Sequence, residues 1–324
     1  MSIGGNTMGN LELEMIKFSV GSYYDYQHVR CLTQNRFRNL LRRKLLELGD
    51  EPEEKKEDEE KSYGKEWSDK EIKELINTAK EQGKLTAKDE EMLNTLNALG
   101  DDSKKFEKAY LNKINGYVEN EQLYTEYLSK ISGVGGVIAA GLLGYCGYCE
   151  KFDTVSKLWS YAGMGIYNGD IQKLRAGEKA NWNPKLKVLC WKLGDSFVKC
   201  GKGYRKLYDQ FKATYLARED IIEAHKKMAA EKRKKDKSYK GDMGYKAHIH
   251  AMAKRKVVKL FLSHLWVTAR TMKGLPVREP YAMEKLGHTT LIAPFTDENA
   301  VLSAKPKMSK VVVKSKVKKV AKKK

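Results

Sequence analysis

Apolar residues recur at three- and four-residue steps through most of the chain, and that spacing predicts helices. The first run is YYDYQHVRCLTQNRFRNLLRRKLLELG. Val29, Leu32, Phe37, Leu40, Leu41, Leu45 and Leu48 form its apolar stripe, and Gly49 supplies a stop. In SDKEIKELINTAKEQGKL, Ser68 followed by Glu71 reads as a capping box, with Gly83 as an interruption. The stretch DDSKKFEKAYLNKINGYVENEQLYTEYLSKI continues the helical spacing up to Ile131. Asp153 or Thr154 is expected to cap a short helix through Tyr161, closed by Ala162 and Gly163. GIYNGDIQKLRAGEKANWN is rich in turn residues and predicts a small hairpin. Basic and apolar residues then alternate at helical spacing from Asn183 to Asp220, and a buried helix is expected from about Ala247 to Thr271. A count of six prolines favours an α-rich fold throughout.

The segment ISGVGGVIAAGLLGYCG, Ile131–Gly147, breaks this regularity. Gly133, Gly135 and Gly136 sit at the mouth of an apolar run. A helix ending near Ile131, a turn over Ser132–Gly136 and a second helix from about Val137 make a helix-hairpin-helix. Backbone N–H groups at such a turn, aided by the dipole of the second helix, can hold one phosphate without reading a base. Gly141 and Gly144 would let a neighbouring helix pack closely.

Charge changes the picture next. Lys and Arg outnumber Asp and Glu by 62 to 42 in 324 residues, a formal net charge of +20. Such a surplus points to a polyanionic partner, DNA first and structured RNA as the alternative. Arg30, Arg36, Arg38, Arg42 and Arg43 lie on the first helix with no carboxylate after them until Glu47. Lys173, Arg175, Lys179, Trp182, Lys185 and Lys187 cluster around the turn-rich segment, where cations hold phosphates and an exposed aromatic ring stacks on bases. Trp182 is the expected exposed ring; Trp191, Tyr204 and Tyr208 are expected to pack in the core. No apolar run is long enough to cross a bilayer, and the N-terminus lacks the order of a signal peptide, so a cytoplasmic or nucleoid-associated location without membrane contact is expected. With five cysteines, an odd number, a disulfide framework is not expected. The Cys146–Cys149 pair with Cys190 and Cys200 is poorly spaced for zinc, and buried thiols are the expected reading. No metal or other cofactor is implied by these patterns.

Four blocks in this order resemble the bridge-RNA-guided insertion-sequence transposases, the "one-ten" group. They are TQNRFRNLLRRKLLELG, ISGVGGVIAAGLLGYCG, FDTVSKLWSYAGM, and NPKLKVLCWKL with KAHIHAMAKRKVVKLFLSHLW. The resemblance covers roughly residues 25 to 275 and is to the C-terminal transposase domain of that family. It implies a coiled-coil segment serving a homo-oligomer, followed by a helix-hairpin-helix-containing transposase domain. Family members begin with an RNase H-like domain bearing acidic metal ligands, for which about two dozen residues before the first basic helix are too few. The family's catalytic serine would fall near Asp170–Ile171, and GIYNGDIQKLRAGEKANWNPK contains no serine. Ser160 precedes it and Ser196 follows it. A carboxylate does not replace a hydroxyl nucleophile in strand transfer. Asp153, Asp170, Glu178 and Asp195 are the acids that would gather Mg²⁺ if the chain were catalytic.

The expected class is therefore mainly α. It has an N-terminal Arg-rich helix (1–49), an acidic linker (50–68) and a helical hairpin or coiled-coil-like segment (69–130). A helix-hairpin-helix and transposase-like core (131–220), a basic helical region (221–300) and a basic, disordered Lys-rich tail (301–324) follow. The expected function is that of a transposase-derived nucleic-acid-binding protein lacking intact family catalysis. The alternatives are an active transposase or recombinase with a partner chain, and a chromatin-like architectural DNA-binding protein.

Overall fold

The computed structural model describes residues 10–46, 69–167, 170–171, 174, 177–235, 244–278 and 292–297. The described residues are mainly helical, in the order α1 (Asn10–Leu46), α2 (Asp69–Glu81), α3 (Ala87–Val118), α4 (Gln122–Glu126), a 3₁₀ turn (Leu128–Lys130), α5 (Gly136–Cys146), α6 (Val155–Tyr161), α7 (Pro184–Cys200), α8 (Tyr204–Leu216), α9 (Glu219–Lys235) and α10 (Gly244–Met272). Between α6 and α7, Ile166–Tyr167 pairs antiparallel with Asp170–Ile171. The chain forms two compact units, Phe18–Ile114, and Met1–Lys17 with Asn115–Lys324. The expected acidic linker, Ser68 and the Lys-rich tail lie outside the described residues.

In the unit Phe18–Ile114, Gly83 turns the chain at φ +65° after α2. Lys84 N–H reaches back to the Ala79 carbonyl at 2.9 Å, closing the helix end around the glycine. Thr86 then opens α3: its N–H donates to Asp89 Oδ2 at 2.9 Å, and Asp89 N–H donates back to the Thr86 hydroxyl at 3.2 Å. Phe37 and Leu41 of α1, Ala79 of α2 and Leu93 of α3 make the core, wrapped by Ile72, Leu75 and Ile76. The expected stripe needs correction, because Val29 and Leu32 are exposed and Thr33 is buried instead. Thr33 satisfies its hydroxyl on the Val29 and Arg30 carbonyls at 3.0 and 2.9 Å, and Gly100 of α3 leaves it room. Leu32 lies about 100° around the helix from that buried line.

In the other unit, α10 runs through the core with Val257, Val258, Phe261, Leu262, Leu265 and Trp266 buried. It packs on α6, α7, α8 and α9. Trp266 donates its indole N–H to the Phe152 carbonyl at 2.7 Å. Arg270, itself buried, donates to the Cys149 and Phe152 carbonyls at 3.0 and 3.1 Å. A buried polar chain joins the Tyr127 and Tyr204 hydroxyls at 3.4 Å, Tyr204 and His264 Nδ1 at 2.6 Å, and His264 Nε2 and the Ile292 carbonyl at 2.8 Å. The expected helix up to Ile131 is instead broken after Val118 and again after Glu126. Tyr127, fully buried, closes the short helix at the second break.

Thr154 caps α6 as expected, accepting the Lys157 N–H at 3.3 Å. Gly163 at φ +69° follows its end. Close packing explains the small residues of α5: a Cβ at Gly141 would lie 2.6 Å from Leu189 Cδ2, and one at Gly144 would lie 3.3 Å from Ile16 Cγ2. Cys146, Cys149 and Cys190 are buried, and burial pushes the thiol pKa of each up, Cys146 to about 12.

Candidate nucleic-acid interface

The glycine turn differs from the expected helix-hairpin-helix: a short 3₁₀ turn stands where the first helix was expected, and the second helix takes in Gly136. It lies between the 3₁₀ turn Leu128–Lys130 and α5, which begins at Gly136. One of its glycines answers to packing. Gly133 sits at φ +94°, and a Cβ there would lie 3.1 Å from Phe197 Cδ1. Its carbonyl accepts the Ser196 hydroxyl at 2.8 Å, which ties the turn to α7. A Cβ at Gly136 would displace the Asn115 side chain. Gly135 alone is exposed with open space around it, in an extended conformation that any residue adopts. The Ser132 N–H is engaged, donating to Asp297 Oδ2 at 2.7 Å, while Asp297 N–H donates to the Lys130 carbonyl at 3.0 Å. Any phosphate grip at this turn therefore narrows to the neighbourhood of Gly135.

A second basic surface, formed by α6, α7 and α10, is more elaborately built. Asn183 caps α7, accepting the Leu186 N–H at 3.0 Å, with Pro184 at the first helical position. Its backbone N–H donates to the Tyr161 carbonyl at 2.8 Å and its side-chain amide to the Tyr161 hydroxyl at 2.9 Å, so the start of α7 is held on the end of α6. Trp182 packs against Gly163, where a Cβ would lie 2.9 Å from its ring. Lys187 Nζ lies 4.2 Å from the centre of the Trp182 ring. Lys259 of α10 repeats the arrangement: its Nζ lies 4.1 Å from the centre of Trp159, whose indole N–H donates to the Lys259 carbonyl at 2.9 Å.

Arg255 of α10 acts on both of these lysines through its charge. Burial lowers the pKa of Lys187, Arg255 and Lys259 alike, and the Arg255 charge depresses both lysines further. Among the described residues no carboxylate pairs with Arg255 or Lys259. Half-buried like charges that repel one another cost stability unless an anion joins them.

Comparisons with protein-family models, with curated proteins and with solved structures give no match.

The other expected contact residues are scattered. Arg30 is committed to Glu107, its Nε 2.7 Å from Oε2, so it is no free cation for phosphate. Lys44 likewise pairs with Asp89 at 2.9 Å. The one-signed ridge expected of α1 is thus partly neutralised by α3, whose acids lie far away in sequence. Arg36 and Arg43 are exposed, Arg42 is half-buried, and the Nε of Arg38 is buried without a partner among the described residues. Lys179 and Lys185 are exposed. Lys173 and Arg175 lie outside the described residues, as does the side chain of Asp170. Of the other acids, Asp153 pairs with Lys157 and Asp195 with Lys254, each at 2.5 Å.

Two rings trade the roles expected of them. Trp182 is half-buried beneath Lys187, whereas Trp191 is 61% exposed. Leu186, Leu189, Cys190, Leu193 and Phe197 already fill the inward face of α7, and Trp191 falls on the other. Tyr204 and Tyr208 are buried as expected. The sequence reading missed Arg255 and Lys259. Their signal was the run KRKVVKL on α10 at the spacing that places residues 255 and 259 on one helix face.

Proposed function

We propose that the protein binds nucleic acid through the α6–α7–α10 surface, as a transposase-derived protein without that family's strand-transfer chemistry. The group Lys187, Arg255 and Lys259, set between Trp182 and Trp159, carries this reading. A polyanion is the partner that returns the electrostatic cost of holding three such cations together. Gly135 at the glycine turn and the exposed Lys185 extend the track. Ser196, the serine that follows the transposase-like segment, has its hydroxyl committed to Gly133, which fits a binding role better than a nucleophilic one. A nucleoid-associated location would follow from this partner.

A homo-oligomer through the helical segment is part of the same proposal. Met92, Leu99 and Phe106 are exposed on α3 at seven-residue spacing, and Phe18 and Leu32 are exposed on α1 two heptads apart. That is the period of a helix seam seeking a second helix.

The test is a titration of the full chain with duplex DNA and with a single strand across salt, the slope being read on whichever binds. Lys187→Gln, Arg255→Gln and Lys259→Gln together should flatten the slope of log affinity against log salt by about 2 to 3, near 0.9 per lost phosphate contact. The melting temperature, read alongside, checks that the variant is folded at the temperature of the titration. An unchanged slope would refute the reading.

A further inference from the structure

We infer that the exposed face of Trp191 on α7 is a stacking seat for an unpaired base, so that the nucleic acid engaged beside Lys187 is single-stranded. The inference rests on the proposed function and names the substrate class for the same surface. Trp191 is 61% exposed and Val188, one turn earlier, is 54% exposed. Neither serves the core, whose contacts on α7 are made by the inward residues.

The ring is nevertheless held. Lys254 Nζ lies 5.1 Å from its centre and is fixed by Asp195 at 2.5 Å. The pairing also neutralises Asp195, which stands one helical turn after Trp191. One side of the indole is thus capped by a cation, and the open side offers a flat aromatic surface. Lys187 stands one helical turn before Trp191, and Lys185 is exposed at the start of the helix. Cations flanking an open ring suit a ligand with alternating charge and π-faces, which is a nucleic-acid strand. In an intact duplex the base faces are already stacked on one another, and only their edges reach the grooves. An open indole can therefore take a base only from an unpaired strand. A patch of two apolar residues among lysines is small for a protein partner, whose sites are usually contiguous apolar areas of several hundred Å².

Three probes decide it: a thymidine oligonucleotide, an abasic strand of equal length, and a duplex, each titrated at matched salt with wild-type full chain, Trp191→Ala and Trp191→Phe. Stacking contributes about 1–3 kcal/mol per base, so Trp191→Ala should weaken thymidine-strand binding roughly 5- to 150-fold. Binding to the duplex and the abasic strand should stay within about twofold, and Trp191→Phe should keep most of the affinity. Unchanged thymidine-strand affinity in Trp191→Ala, or an equal loss on all three probes, overturns the stacking seat while leaving nucleic-acid binding intact. Wild-type protein that binds none of the probes overturns both readings.

Discussion

His264 should make the stability of the protein fall between neutral and mildly acidic pH, by an amount the structure sets. The side chain is 2% exposed. Its Nε2 faces the Ile292 carbonyl at 2.8 Å, which can only accept, so that nitrogen carries the proton. Nδ1 then accepts from the Tyr204 hydroxyl at 2.6 Å. The neutral imidazole is fully satisfied, and burial drives its pKa from 6.5 down to about 4. The unfolded chain therefore binds more protons between those values. Stability from this group is complete above about pH 6.5, falls as pH drops, and levels below about 4. With those two values, going from about pH 7.5 to about pH 5 costs about 2 kcal/mol, and the limit at lower pH is about 3 kcal/mol. Urea unfolding of the wild-type chain and of His264→Gln at both pH values isolates the contribution. The variant is expected to be weaker at neutral pH, having lost a hydrogen bond and packing, but to lose about 2 kcal/mol less on acidification. Equal losses in the two proteins would refute the argument and leave His264 accessible to protons in the folded state.

Other outcomes follow from single contacts. Gly135→Asp should lower affinity for duplex and single strand without lowering the melting temperature, because its site is open and an acid suits a helix start; unchanged affinity removes the turn from the interface. Gly136→Asp should displace the Asn115 side chain, and urea unfolding reads whether that movement costs stability. Gly141→Ala should cost about 1–3 kcal/mol by forcing Leu189 out of place, and a neutral result would mean that Leu189 has room to turn. Arg30→Ala should lower stability by about 1 kcal/mol and leave binding nearly unchanged, since its charge is spent on Glu107.

Local chemistry was legible in advance where a short stretch carries its own signal. Thr154 capping α6, and Gly83 and Gly163 ending helices, follow from φ preferences and nearby hydrogen bonds. The α-rich class was legible because few prolines and a sustained period near 3.6 leave little else. The exchange of roles between Trp191 and Trp182 was not. An apolar ring at helical spacing looks the same in sequence whether it faces the core or the solvent, and the other residues of α7 had already filled the core side. Gly133 likewise suggested a phosphate cradle, while its positive φ and the approach of Phe197 and Ser196 account for it by packing.

What the sequence by itself determined is therefore the local grammar: which segments coil, where they stop, and that the whole carries a large positive surplus. The tertiary structure decided which charges meet. Arg30 and Lys44 look unopposed along α1 until α3 brings Glu107 and Asp89 against them. Lys187, Arg255 and Lys259 are spread over more than seventy positions until α7 meets α10. Coulomb energy depends on distance in space and on the dielectric between charges, and neither is a function of separation along the chain.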